Sequence, residues 1–443
     1  MLFALAGGLR VHNAYGYWVN NGYDAPFNWS YIVQLSESWD LPHPERHWSA
    51  ARPPLFFYMG GALARSFDSR PGPSVWAIRL VSSGFGLLAV ALTAWMVRRE
   101  TPDDLRRVAI AAGLLLFLPA HLYMSAMLNE EILAATFTTL ALALAIRDRQ
   151  AGSASGEGSR GYWRLVGIGL AGGLAFLTKL TGCLVVIAVV FAMLIDGWRE
   201  RALKTALLRG AVVASVALVV GGWFYARSLV VHGYLYPHSL ETHQVMLDLP
   251  PGERGVGDYV SFPLSTFTNA RNDSPELIHS VWGGTYATLW FDGQRHFVPR
   301  NHRNVHRMAT VILVLALLPT FAFFLGLRDA VRRMLAAPRT ADTPMLALLS
   351  VTLAGYVYFT WKNPWYPTVK GSYLLGLGLP YAYWASERLS AWTRGPRWQA
   401  ALVAIVLVAL LVACVLAFTW GTPLWTMELW RDRPGLRIMP VRG

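Results

Sequence analysis

Charge is scarce in this sequence: Asp, Glu, Lys and Arg together make up only 15% of its 443 residues, too few to clothe a soluble protein of that length. Cysteine is almost absent. The two present, Cys183 and Cys414, both lie inside apolar runs, which argues against a disulfide framework and against a Cys-based metal site. No internal repeat is found, and no cleavable signal is expected in the opening run, because Met1 to Leu9 meets Arg10 with no small-residue cleavage site after it. That run is too short to span a bilayer alone, so either its helix continues through Val11 to Val19 or the true start lies upstream; a clipped start is the favoured expectation.

What the chain does have is apolar residues in long blocks, 54% hydrophobic in all, with a mean hydropathy of +0.36. This is the composition of a polytopic membrane protein. The formal net charge of +13 would suggest nucleic acid in a soluble protein, but the basic residues sit in short loops between apolar blocks, where topology explains them.

After the first segment, spans are expected at Ser74 to Val97, Val108 to Met127, Ile132 to Ile146, Leu165 to Lys179, Gly182 to Trp198 and Leu207 to Val230. Met308 to Leu327, Met345 to Trp361, Gly371 to Trp384 and Ala400 to Trp420 follow, about eleven in all. Arginines mark every second connection: 98–107, 147–164, 199–209, 328–339 and 388–397. These are the cytoplasmic loops. The connections 20–73, 123–131, 178–182, 231–305 and 361–371 then share the external face, and 421–443 is an external tail. One membrane domain, 1–443, is expected, with a flexible linker at Ala151 to Ser159 and two external elaborations.

The first elaboration, 20–73, is too apolar for a free loop. Trp29 to Leu35 suggests a helix lying at the interface, and Pro53-Pro54 starts a second, running through Ala64. The second, 231–305, precedes the eighth span and reads as a substrate-covering loop, with Trp282 and Trp290 stacking on sugar faces or anchoring the loop at the headgroups.

Orientation gathers the uncommon residues on the external face. Asp24 follows the first segment, where a carboxylate facing a cavity can act as general base or can cap the next helix. Asn129-Glu130-Glu131 opens a helix, so its carboxylates either serve the helix start or hold an acceptor hydroxyl or divalent ion. Lys179 lies between two apolar runs and needs an anionic partner, such as a lipid phosphate, or must snorkel. Lys370, with Tyr373 beside it, opens a short helix on the same face and offers a second phosphate contact. His43, Glu45 and His47 form a weak metal pattern, and the sequons at Asn28 and Asn272 are weak signals.

Four of these stretches together resemble the membrane glycosyltransferases of the GT-C class: Leu9-Arg10-Val11-His12, Tyr23-Asp24, Pro53 to Tyr58, and Phe176 to Lys179. The branch they resemble holds the protein O-mannosyltransferases, the lipid A aminoarabinose transferase and the bacterial enzymes of rhizobial lipopolysaccharide galacturonosylation. Lys370 to Tyr373 is only loosely similar to that family's Arg/Lys-Tyr-Leu segment. The resemblance implies an all-α GT-C-like fold, an external active site and an inverting transfer from a polyprenyl-phosphate sugar. It also implies roles: Asp24 as base, Glu130 or Glu131 positioning substrate, and Lys179 meeting the lipid phosphate. The family's Asp-Glu pair is here Asp24-Ala25, which leaves metal assistance open; no cofactor or metal is expected. The expected partners are a polyprenyl-phosphate-linked sugar and a lipid, glycan or protein acceptor, in a bacterial plasma membrane. The rival reading is a transporter or flippase of lipid-linked intermediates, against which stand the missing repeat and the crowding of polar groups on one face.

Overall fold

The computed structural model describes residues 1–17, 22–45, 47–151, 159–236, 249–297, 303–337 and 340–420. Within them the chain is helical: α1 (Leu2–Gly16), α2 (Ala25–Ser38), α3 (Leu55–Arg65), α4 (Pro71–Glu100), α5 (Leu105–Leu116), α6 (Pro119–Ser125), α7 (Glu131–Ala151), α8 (Ser159–Thr178) and α9 (Cys183–Arg199). The second half adds α10 (Leu203–Ala217), α11 (Trp223–His232), α12 (Ser265–Thr268), α13 (Val281–Trp290), α14 (Arg303–Leu315), α15 (Leu317–Ala336), α16 (Asp342–Lys362), α17 (Gly378–Thr393) and α18 (Arg397–Trp420). An isolated bridge pairs Pro251 with Trp365.

The all-α membrane architecture agrees with the apolar pattern, but eleven spans are not confirmed. Six helices among the described residues are long and apolar enough to cross a bilayer, or seven if α5 and α6 count as one. Charge and glycine remove α7, which ends near Arg147-Asp148-Arg149, and α8, which carries Arg160, Arg164 and several glycines; α1 and α17, at 15 and 16 residues, are too short. The expected span at Val108 to Met127 is broken, α5 and α6 meeting at 56°. Pro119 starts α6, and its missing N–H and fixed φ suit a helix start and not a helix interior. Such a break strands carbonyls. Arg10, fully buried on α1, donates to Leu116 O at 3.1 Å and sets its Nη2 2.9 Å from His121 Nδ1, so one side chain satisfies both edges of the kink.

The ion pairs between helices fall into two groups. At one end Arg333 binds Asp342 and Glu387, each at 2.7 Å, and Arg394 reaches Asp104 at 3.1 Å, which joins three of the arginine-rich connections. The acidic turns, Lys179 and Lys370 converge elsewhere, where the chain passes between helices at 22–24, 129–131, 179 and 363–370. There α2 and α3 pack Trp29, Tyr31, Ile32 and Leu35 against Phe56 and Phe57 in a separate core cluster, so both expected first-loop helices are present.

Within the second elaboration, one helix packs into the bundle. In α13, Val281 and Ala287 are fully buried and Trp290 is 2% exposed, packed edge-on against Tyr381. Trp282 donates its Nε1 to Tyr259 O at 2.9 Å. Trp290 therefore offers no face to sugar or headgroups, while Trp282 is half-buried. Residues 152–158 of the expected linker and the tail 421–443 lie outside the described residues.

Candidate active site

Asp24 takes the N-cap position of α2 but does not cap it: φ is 57°, ψ is 22°, and its side chain accepts no hydrogen bond from the helix. A left-handed backbone at a non-glycine residue costs roughly 1 kcal/mol or more, and aspartate tolerates it better than most. The backbone turn aims the carboxylate at Arg52, with which it forms an ion pair. The capping alternative is thereby excluded.

Arg52 follows a short 3-10 turn, Trp48–Ala51, and precedes Pro53-Pro54 and α3. Its Nη1 donates to Asn28 Oδ1 at 2.9 Å and lies 3.4 Å from Glu130 Oε2. Asn28 sits one turn beyond Asp24 and is fully buried; its Nδ2 donates to Leu128 O at 2.7 Å and its Oδ1 also accepts from Ser49 Oγ at 2.8 Å. One amide thus fastens α2, the 3-10 turn and the α6–α7 connection around the guanidinium.

The second half of the site starts at α7. Asn129 Oδ1 accepts from Glu131 N at 2.7 Å, closing the turn that opens the helix. Glu131, 7% exposed, pairs with Lys179. Tyr373 links the two lysines: its ring centre is 4.5 Å from Lys179 Nζ and 5.8 Å from Lys370 Nζ, and Lys370 also lies 4.1 Å from the Tyr23 ring. Lys370 is held by its neighbours. Asn272 Nδ2 donates to Tyr366 O and Val369 O at 3.2 and 3.3 Å, and Gly371 N donates to Thr288 Oγ1 at 2.7 Å. A side chain at 371 would put its Cβ 2.6 Å from the Leu289 backbone, so only glycine lets the chain run this close to α13.

Electrostatics follow from these contacts. Burial works against a charged Asp24, but Arg52 and then Lys370 outweigh it and hold the carboxyl below the usual carboxylate range. Burial pulls the Lys370 ammonium below the ordinary lysine value despite Asp24 nearby. Arg52 is desolvated too, yet Glu130 and Asp24 raise it further above its usual value.

The structure therefore brings Asp24, Glu130, Glu131, Lys179, Lys370 and Tyr373 to one place. Lys179 has a protein anion, Glu131, as its partner. Sequence reasoning passed over Arg52, Asn28 and Tyr23. The signal for Arg52 was the one used for Lys179, a cation set against an apolar segment. His43 Nδ1 lies 4.0 Å from Glu45 Oε2 and the ring packs edge-on against His232, but His47 does not join them: it is buried with Nε2 3.1 Å from Ser30 Oγ. No trio of metal-ligating side chains is found among the described residues. Both sequon asparagines are buried structural donors, Asn28 fully and Asn272 at 2% exposure, and neither can carry a glycan. Behind the Glu131–Lys179 pair a small cleft of about 30 Å³ lies between α7, α9 and α16, lined by Thr138, Thr181, Thr352 and Ser372.

The all-helical membrane bundle, with its packed first loop and gathered acidic turns, is similar in fold to solved ArnT and oligosaccharyltransferase structures. The family profile described as dolichyl-phosphate-mannose-protein mannosyltransferase matches residues 51–224, a stretch that holds Arg52, Glu130, Glu131 and Lys179. Among solved structures the chain is similar to ArnT from Cupriavidus metallidurans bound to undecaprenyl phosphate, with 17% identity and a TM-score of 0.56 over 95% of this chain and 76% of that one. It is also similar to the Archaeoglobus fulgidus oligosaccharyltransferase in complex with zinc and sulfate, at 16% identity and a TM-score of 0.53, covering 95% of this chain and 53% of that one. The same archaeal enzyme, AglB, in complex with an inhibitory peptide and a dolichol-phosphate gives 14% identity and a TM-score of 0.50 over 95% and 55%. The chain thus spans about half the length of the archaeal enzyme. At these identities the likeness is one of fold. No curated protein matches the chain in sequence.

Proposed function

We propose that the chain is an inverting glycosyltransferase, moving a sugar from a polyprenyl-phosphate donor to an acceptor hydroxyl on a lipid, polysaccharide or protein, at the external face of a bacterial plasma membrane. The observation that carries this reading is Asp24, turned out of its helix cap and held ionised between Arg52 and Lys370. In the reaction the acceptor oxygen attacks the anomeric carbon and its proton passes to Asp24. The bond from that carbon to the phosphate oxygen breaks, with the electron pair leaving on the phosphate. Lys179 and Lys370 meet the growing phosphate charge, where fixed cations lower the barrier most. Glu130 and Glu131 orient the acceptor and the cations.

A carboxylate held below its usual range is a weak base. Asp24 therefore receives the proton late, once bond formation at the anomeric carbon has made the hydroxyl acidic. The fold's neighbours bound to undecaprenyl phosphate and dolichol-phosphate support a lipid-phosphate donor. The test is transfer of labelled sugar from a panel of polyprenyl-phosphate sugars by the protein in lipid. Wild type should transfer label, while Asp24→Asn and Lys179→Ala should not. No transfer from any donor, with lipid binding intact in both variants, would overturn the reading in favour of a transporter.

A further inference from the structure

Resting on that reading, we propose that the acceptor is a saccharide, whose sugar ring lies on an aromatic platform formed by Phe27 and Trp48. Phe27 is on the first turn of α2, three residues beyond Asp24, and remains 40% exposed. Trp48 opens the 3-10 turn that ends at Arg52, four residues on. The two rings lie 5.5 Å apart, tilted by 30°, and the elements bearing them are tied together by Asn28 through Ser49 at 2.8 Å and Arg52 at 2.9 Å. The platform is therefore fixed relative to the Asp24–Arg52 pair, and each of its rings is one turn from a member of that pair.

Chemistry assigns the occupant. A pyranose has a face of C–H bonds that packs on an aromatic ring while its rim hydroxyls stay free for polar groups. Here a carboxylate able to take a hydroxyl proton adjoins such a ring. Lys370, the lysine that acts on Asp24, lies over the Tyr23 ring, while Phe27 and Trp48 belong to the elements that carry Asp24 and Arg52; the departing phosphate is accordingly assigned to the lysine side and the Phe27 side to the acceptor.

A second aromatic stack provides the control. Trp39 and Tyr58, 6.1 Å apart with Arg65 5.9 Å above Trp39, sit at the far end of α2. Fourteen residues of helix put them about 20 Å from Asp24, beyond reach of one sugar ring.

The experiment uses the full chain in proteoliposomes with its donor, and offers free oligosaccharide, serine- and threonine-bearing peptide, and a long-chain alcohol as acceptors. Label should pass to the saccharide. Phe27→Ala and Trp48→Ala should each raise the saccharide KM about tenfold, as expected for losing an aromatic stack of about 1.4 kcal/mol. The KM for donor should stay within about twofold, Phe27→Tyr should restore the acceptor KM, and Trp39→Ala should leave it unmoved. Transfer to peptide or alcohol in preference to saccharide overturns the proposal, as does a Phe27→Ala effect no larger than that of Trp39→Ala. If no donor loses its sugar to any acceptor, water included, the transferase reading itself falls and the platform with it.

Discussion

Replacing Arg52 with Gln should move the acid limb of the transfer rate upward in pH. In the wild type the guanidinium offsets the burial of Asp24 and keeps that carboxyl below its ordinary range, so the base stays ionised into acid. Two unit charges about 4 Å apart interact by about 4 kcal/mol at an effective dielectric of 20, which corresponds to about 3 pH units. The Asp24 side chain is 20% exposed, so solvent screens part of this. An upward shift of about 1–2 units is expected. Because Asp24 is needed as the anion, activity in Arg52→Gln is lost as pH falls through a higher value, while Arg52→Lys, which keeps the charge, shifts the limb less. The assay is the pH dependence of kcat/KM for labelled sugar transfer in proteoliposomes, with thermal stability followed in parallel to confirm folding at each pH. An acid limb that stays in place in a folded Arg52→Gln protein would refute the argument, since Asp24 could not then be the group whose ionisation limits the rate.

Other outcomes follow from the same contacts. Lys179→Ala leaves Glu131 buried without its partner and should cost about 3–5 kcal/mol of stability; adding Glu131→Gln should recover much of it, and a double variant no more stable than the single in thermal denaturation would dismiss the pairing. Gly371→Ala drives a methyl group into the Leu289 backbone and should cost about 1–3 kcal/mol, with transfer falling further than stability as Lys370 is displaced; comparing the thermal midpoint with the residual rate checks this. His47 is pushed down by burial from 6.5 to about 4, so the unfolded chain takes up its proton first and stability drains as pH falls between those values, by up to about 3 kcal/mol. Thermal midpoints of wild type and His47→Gln should converge in slope above pH 7 and diverge below 6.

How much was legible in the sequence depended on which kind of force carried the signal. Hydropathy and the alternation of arginine-rich loops are sums over many residues, and they sorted the chain ends correctly: Asp24, Glu130, Glu131, Lys179 and Lys370 meet, although 346 positions separate the first from the last. Individual partnerships did not show. Lys179 was expected to want an anion, but nothing in a one-dimensional string says that Glu131 of α7 is nearer than any lipid. Arg52 hid for a related reason, since Ala51-Arg52-Pro53 reads as a loop until Asp24, Asn28 and Glu130 are seen around it. The aromatic run at 282–290 misled because composition cannot separate a tryptophan at a headgroup from one in a core; Trp290 is the latter. The break between α5 and α6 was marked by Pro119, yet its remedy, Arg10, lies over a hundred residues upstream.

That remedy bears on how the protein is made. During synthesis α1 emerges well before α5, carrying Arg10, His12 and Asn13 on a helix of only 15 residues. An arginine in the middle of a lone helix costs about 2.5–3.5 kcal/mol on insertion into the bilayer, and the carbonyl that Arg10 binds lies 106 residues later in the chain. A ribosome-tethered intermediate ending before Leu116 should therefore hold α1 only loosely, and one long enough to expose α5 and α6 should lock it. The kink and the arginine are thus two halves of a late-assembled joint, and α1 is secured only by helices made about a hundred residues after it.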